Sequence, residues 1–312
     1  MKKEKLSFVI PCYGSEKTIS GVVAGIVATV QKKNPYEIIC VNDCSPDGVY
    51  SVLEELAKGD KNIKIVNLAR NFGQHNALMA GFRYVTGDIV VCLDDDGQTD
   101  PKDCYKLIDA LNDSVDVAFA KYPSKKESPF RLFGSWTAKK MGQWLCSIPK
   151  NIDLNSYFAC KRFVINEIVR YDNAYPYLAG LVFRASKKVV NVDVPHHPRE
   201  CGKSGYSLRK LVSLWMNGFT AFSVKPLRIA TGLGGLTAAA GFLYAIFTAA
   251  RKILNPTAPM GYSSMMCVLL FIGGMIMLML GLIGEYIGRI YICLNKAPQY
   301  VIRNTVNCDD EK

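Results

Sequence analysis

Asp94, Asp95 and Asp96 close an apolar run, Val90-Val91-Cys92-Leu93, and are followed by Gly97 and Gln98. A buried strand of an open α/β sheet delivers its C-terminal residues to the crevice where ligands bind in such folds. Three adjacent carboxylates repel one another and persist together only when solvated or neutralised. A divalent cation bridging to a diphosphate is the usual neutraliser. Asp94 and Asp96, two apart on extended backbone, point the same way. The same triplet also suits an acidic loop or a helix N-cap ahead of Pro101.

The elements needed to hold such a site alternate along the first 120 residues. Leu6 to Pro11, Glu37 to Val41, Ile63 to Asn67, Asp88 to Leu93 and Val115 to Ala120 read as strands. Lys17 to Gln31, Val49 to Ala57 and Ala77 to Val85 read as helices. Strand-helix alternation implies right-handed crossovers and a largely parallel sheet. Four strand ends then converge on one crevice: Pro11-Cys12-Tyr13-Gly14-Ser15-Glu16, Asn42-Asp43-Cys44-Ser45-Pro46-Asp47, Asn67 to Gly73, and the acidic run. No glycine fingerprint follows the first strand, which disfavours a dehydrogenase.

The chain has 312 residues, room for one domain of about 200 residues and a smaller appendage. That appendage is apolar. Residues 229–250 and 260–284 carry no charge over 22 and 25 positions, and at about 1.5 Å per residue either crosses a hydrocarbon core of roughly 30 Å. Lys and Arg flank the two stretches (Arg209, Lys210, Lys225 and Arg228 before, Arg289, Lys296 and Arg303 after), against Arg251 and Lys252 between them. That bias favours a multi-pass plasma-membrane protein with both termini and the domain before the first stretch in the cytoplasm. Eleven cysteines without metal-ligand spacing agree with a reducing compartment. The net charge of +11 points to anionic lipid or a phosphorylated substrate, since no nucleic-acid-binding signature accompanies it. Between Ser207 and Phe222, Leu208, Leu211, Val212, Trp215, Phe219 and Phe222 mark one face of a helix, either interfacial or packed on the soluble domain. The expected organisation is thus a domain over 1–206, an amphipathic region over 207–228, a membrane pair over 229–291 and a cytoplasmic tail over 292–312.

Pro11-Cys12-Tyr13, Asn42-Asp43-Cys44-Ser45-Pro46-Asp47, Arg70-Asn71-Phe72-Gly73-Gln74 and Asp94-x-Asp96-x-Gln98 occur in an order that resembles family 2 inverting glycosyltransferases. His197-Pro198-Arg199-Glu200-Cys201-Gly202-Lys203-Ser204-Gly205-Tyr206-Ser207 and Gly284-Glu285-Tyr286-Ile287-Gly288-Arg289 look like segments of its polyprenyl-phosphate group, which includes dolichyl-phosphate mannose synthases and bacterial undecaprenyl-phosphate glucosyltransferases. The resemblance implies a GT-A type, Rossmann-like sheet with helices on both faces, followed by the interfacial helix and two transmembrane helices. It implies a nucleotide-sugar donor, with uridine the expected base, a polyprenyl phosphate acceptor, Mg2+ or Mn2+, and a homo-oligomer, a tetramer in relatives. Pro11, Tyr13, Glu16, Asp43, Arg70, Asp94 and Asp95 would bind the nucleotide. Asp94, Asp96 and Gln98 would serve catalysis, with Asp96 and Asp94 on the metal. Arg131, Ser135, Arg199 and Lys203 are candidates for the acceptor phosphate, with Lys139 and Lys140 behind them. One departure stands out: where many relatives carry an acid and an arginine, this chain has Ser156 and Phe158, so no base transfers, although Asp153 lies nearby. A catalytically silent scaffold that kept the fold is the alternative, and the intact carboxylates weigh against it.

Overall fold

The computed structural model describes residues 3–122, 149, 151–195, 225–254, 261–295 and 298–308. Strands β1 (Leu6–Cys12), β2 (Tyr36–Asn42), β3 (Ile63–Leu68) and β4 (Ile89–Cys92) alternate with helices α1 (Ile19–Val30), α2 (Val49–Gly59) and α3 (Gln74–Phe82). A 3-10 turn over Pro101–Asp103 leads into α4 (Cys104–Asp109). Then come β5 (Val117–Lys121), β6 (Phe158–Lys161), α5 (Arg162–Ile168), α6 (Leu178–Ala185) and β7 (Val189–Asp193). The sheet has eight strands in the order β7-β5-β6-β4-β1-β2-β3-β8, where β8 is Ile302–Val306. β6 runs against its neighbours β4 and β5, and β8 against β3; the other pairings are parallel. This is the expected Rossmann-like, mostly parallel architecture.

The central strands are buried at every position, as a sheet covered on both faces demands. α1 buries Ile19, Val22, Val23, Ile26 and Val30, the i, i+3, i+4, i+7 stripe of a core-facing helix. α3 lies so close to the sheet that a Cβ on Gly81 would come within 2.7 Å of a Val9 methyl and 2.8 Å of a Val41 methyl. The helix also begins at Gln74, earlier than the hydrophobic pattern from Ala77 suggests. Gly73, with φ +87°, makes the turn into it, a conformation that glycine reaches without steric cost.

The order of strands sets where a ligand can sit. The chain builds β1, β2 and β3 to one side and then places β4 on the other side of β1, so the topological switch lies between β1 and β4. Pro11 opens that gap. Leu93 N–H donates to Val9 carbonyl at 3.4 Å, and the next donor of a parallel ladder is residue 11, which as proline has none. The β1–β4 pairing accordingly ends at Val9 and Cys92.

The segment after the second apolar stretch is the main difference from the sequence reading. Residues 292–312 read as a tail, yet Ile302–Val306 forms β8 and closes the outer edge of β3. A five-residue polar strand, Ile-Arg-Asn-Thr-Val, has no turn or partner signal in its own sequence; a sheet edge needing cover supplies it.

Residues 216–295 form a separate compact unit built on two helices, α7 (Lys225–Leu254) and α8 (Tyr262–Leu294). Phe271–Leu294 is long and apolar enough to cross a membrane. Small residues, Gly232, Gly234, Gly235 and Ala238 to Ala240, are interspersed with leucine and phenylalanine along α7. Its Thr231 and Thr237 hydroxyls donate to the Leu227 and Leu233 carbonyls, which satisfies them within the helix. Leu236, Phe242, Leu243, Met277 and Leu280 are all exposed on this unit. The expected interfacial helix over 207–222 lies outside the described residues.

Candidate active site

The loops at the C-terminal ends of β1, β2, β3 and β4 are stitched to one another by carboxylates. Asp43, buried at the end of β2, accepts from Phe72 N–H at 2.7 Å and from Gly73 N–H at 2.8 Å. It thereby fixes the loop that follows β3. Burial pushes its carboxyl up, against the two backbone bonds that pull it down. Cys44, next along, takes φ +50°, an uncommon value for a residue with a Cβ. It turns the chain so that Ser45 N–H reaches Asn42 Oδ1 at 3.1 Å.

The β1 and β2 loops share three bonds. Gly14 N–H donates to Ser45 Oγ at 2.8 Å, Glu16 N–H to Asp47 Oδ2 at 3.0 Å, and Gly48 N–H to Glu16 Oε2 at 3.1 Å. Glu16 therefore braces the loops with one carboxylate oxygen. Tyr13 N–H donates to Asp95 Oδ2 at 2.9 Å, and Thr18 Oγ donates to the Asp95 carbonyl at 2.6 Å. Asp95 spends its carboxylate on the β1 loop, and burial raises its pKa. The Tyr13 ring remains 54% exposed.

Asp94 lies deepest in chemical terms. Gln74 Nε2 donates to its Oδ1 at 2.8 Å and Ser156 Oγ donates to its Oδ2. Burial pushes its carboxyl up to about 6; Asp96 and Asp95 add to the rise, and the Ser156 and Gln74 bonds oppose it. Gly97 at φ +72° lets Gln98 N–H return to Asp96 Oδ1 at 3.1 Å, a tight Asx-type turn. The triplet is not the helix cap: Asp100 accepts from Lys102 N–H and caps the 3-10 turn. Tyr122, half-buried, has its hydroxyl pushed up to about 12 by burial and then by the charge of Asp94 and Asp96, so it lies near both.

Among the described residues no group of three or more His, Cys, Asp or Glu side chains gathers as a ready-made metal site. Asp94 and Asp96 are close enough to feel each other's charge. Each carboxylate oxygen engaged by one donor keeps a second lone pair. The set is all oxygen, which suits a hard divalent cation completed by phosphate oxygens.

The expected site residues divide accordingly. Tyr13, Glu16, Asp43, Asp94, Asp95, Asp96 and Gln98 lie on the joined loops. Pro11 lies buried inside β1, where it shapes the gap. The Arg70 guanidinium lies over the Phe72 ring, 4.7 Å from its centroid. Arg131, Ser135, Lys139, Lys140, Arg199 and Lys203 fall outside the described residues. The Asp153 N–H and carbonyl are both taken by the Asn191 side chain, at 2.7 and 2.8 Å, which ties that segment to β7. The His75 ring packs edge-on to Tyr177, centroids 6.1 Å apart, with Nδ1 buried without a protein partner. Burial lowers its pKa.

Gln74 and Ser156 were not among the expected site residues, although both touch Asp94. Gln74 stood in the segment read as a motif; Ser156 stood where an acid was expected. A carboxylate there would face Asp94 with like charge, whereas the hydroxyl donates to it. Phe158, in the arginine's place, is core: it opens β6 and packs on Phe119 with centroids 5.2 Å apart.

Comparison with known proteins agrees with this fold. The chain is 31% identical over 310 residues to the uncharacterized glycosyltransferase YkcC of Bacillus subtilis, covering 98% of this chain and 95% of that protein. It is 31% identical over 317 residues to an undecaprenyl-phosphate 4-deoxy-4-formamido-L-arabinose transferase of Pectobacterium atrosepticum, covering 97% and 94%. Glucosyl-3-phosphoglycerate synthase from Mycobacterium tuberculosis shares the fold, with a TM-score of 0.53 at 17% identity over 69% of this chain and 80% of that one. The same synthase solved with Mn2+, uridine diphosphate and glucosyl-3-phosphoglycerate gives a TM-score of 0.52, at 17% identity over 68% and 76%. Residues 225–290 match the GtrB C-terminal hairpin, and residues 7–168 match Glycosyl transferase family 2. With its carboxylate-stitched strand ends and this match over more than half its length, the chain belongs to glycosyl transferase family 2 and is a glycosyltransferase.

Proposed function

We propose that this enzyme transfers a single hexose-type sugar from a uridine diphosphate donor to undecaprenyl phosphate at the cytoplasmic face of the plasma membrane, with inversion and with Mg2+ or Mn2+. The observation that carries the reading is the pairing of Asp94 and Asp96 at the β1–β4 switch with an apolar helical hairpin in the same chain. The acceptor class follows the name of the Pectobacterium relative, and the metal follows the Mn2+ complex of the synthase that shares the fold.

The Tyr13 ring, held by its own N–H on Asp95, is available to lie against the base, and the spare lone pairs of Asp43 accept from an imide or amide N–H. Asp96 and Asp94 would hold the cation, which would supply charge stabilisation as the diphosphate departs. Gln74 and Ser156 orient Asp94 for this. Gln98 would contact the sugar or water on the cation. The attacking oxygen of a phosphate monoester is already ionised near neutral pH, its second pKa being about 6, so no strong base is needed and the absence of an acid at 156 costs little. Arg131, Ser135, Arg199 and Lys203 hold the acceptor phosphate, and attack opposite the leaving group inverts the anomeric centre. The exposed apolar side chains of α7 and α8 face lipid or other copies of the chain, with both helices crossing, both termini cytoplasmic, and small residues permitting a homo-oligomer.

Incubating the purified full chain with labelled UDP- and GDP-sugars and undecaprenyl phosphate tests the reading. One UDP-hexose giving labelled lipid supports it. Nucleotide binding without lipid product from any donor would favour a silent scaffold.

A further inference from the structure

Three asparagines stand side by side on adjacent strands: Asn42 on β2 pairs with Asn67 on β3, which pairs with Asn304 on β8. Their side chains form one continuous relay. Asn42 Nδ2 donates to Asn67 Oδ1 at 2.9 Å, Asn67 Nδ2 to Asn304 Oδ1 at 2.8 Å, and Asn304 Nδ2 to the Tyr50 hydroxyl at 2.6 Å. Its direction is set at the inner end. Ser45 N–H is only a donor, so Asn42 must turn its oxygen to it and offer its amide hydrogens outward; each following amide is then fixed in turn. Asn42 and Asn67 are buried, so neither can exchange its partner for water without cost.

β8 and the residue before it also grip the backbone of the next loop. Ala69 N–H donates to the Val301 carbonyl at 2.8 Å, and Arg303 donates to the Ala69 carbonyl at 3.2 Å. Three residues on, Phe72 and Gly73 donate to Asp43. The strand thus reaches both sides of the Asp43 clasp: through Asn42 and Ser45 on the carboxylate's own loop, and through Ala69 on the loop that donates to it.

We infer that β8 is part of the donor site's framework and that Asn304 is a positioning residue for the nucleotide, acting through Asn67 and Asn42 on the loop that carries Asp43. The inference rests on the reading of Asp43 as a nucleotide contact. Asn304 itself touches no substrate.

The test compares wild type, Asn304→Ala and Asn304→Asp as full chains, measuring nucleotide affinity by calorimetry with UDP and GDP, and KM against kcat for the labelled donor. Asn304→Ala leaves Asn67 without its acceptor and is expected to raise donor KM and nucleotide Kd about threefold to tenfold, at most ~1.4 kcal/mol, with kcat within about twofold. Asn304→Asp keeps an acceptor for Asn67 and is expected to restore most of the affinity. A merely structural role gives another pattern: kcat falling with the folded fraction while KM and Kd hold, which overturns the inference, as does an aspartate variant no better than the alanine. If wild type binds nucleotide but transfers nothing, the proposed reaction fails while the Kd comparison still decides the role of Asn304. Wild type binding neither nucleotide overturns both.

Discussion

At the scale of single residues, the carboxylates of this site join the loops that carry them. Asp43, Asp95 and Glu16 each accept backbone N–H groups from a neighbouring loop, so under the proposed function a binding residue would also be a hinge pin. Asparagine at 43 offers one oxygen and one NH2, which leaves Phe72 or Gly73 N–H facing a donor; an unsatisfied buried donor costs ~1–3 kcal/mol. Asp43→Asn is expected to weaken nucleotide binding about tenfold or more, read by calorimetry, and an unchanged affinity would show that the clasp does not matter. The motif positions of Asp43, Asp94 and Asp96 were legible in the sequence because strand-end carboxylates follow apolar runs. Their partners were not. Ser156 lies 62 residues from Asp94, and no local pattern reports a bond made across that distance.

At the scale of elements, the strand and helix order was readable from hydrophobic periodicity, while three features depended on tertiary context: the early start of α3 at Gln74, the ladder ended by Pro11, and the charge cluster at the opposite end of the sheet. There Glu37, buried in β2, accepts from Ser7 Oγ at 2.5 Å, Thr86 N–H at 2.6 Å and Thr86 Oγ at 2.6 Å. It also pairs with Lys5 and Lys64, both at 3.1 Å. Burial alone would raise its carboxyl, but the Ser7 and Thr86 bonds and the Lys64 charge outweigh it and bring the pKa from 4.5 to about 2. A depressed pKa stabilises the fold where the unfolded chain is also ionised. The contribution is present above pH 4.5 and is lost as pH falls towards 2. Glu37→Gln is expected to cost ~3 kcal/mol at neutral pH, with the gap to wild type narrowing at acid pH, measured by unfolding of the detergent-solubilised chain at several pH values. A gap that stays constant as the pH falls would mean that the ionised form is not what stabilises.

At the scale of the whole molecule, the chain completes its catalytic sheet only after the hairpin has been made. β8 closes β3 with a strand that follows α8 in sequence, so the boundary at residue 206 read from composition does not enclose the folded domain. A protein ending at residue 206 is expected to expose the β3 edge and to aggregate or melt at lower temperature than one in which 298–312 is joined back through a flexible linker. Equal melting temperatures would show that β8 adds nothing. The apolar stretches were plain in the sequence because charge is absent over tens of residues; the returning strand was not, since Ile302 to Val306 carries too few apolar residues to announce a β element.

Under the proposed function, Asp94 and Asp96 hold a divalent cation for sugar transfer to a lipid phosphate. The most direct measurement is the initial rate of lipid-linked sugar formation by metal-stripped protein as Mn2+ or Mg2+ is added back, for wild type and Asp96→Ala. The expected result is no product in chelator, saturable recovery with added cation for wild type, and loss of at least 100-fold, about 2.7 kcal/mol, for Asp96→Ala at saturating metal. Full activity in chelator, or an Asp96→Ala protein that recovers as wild type does, would contradict it.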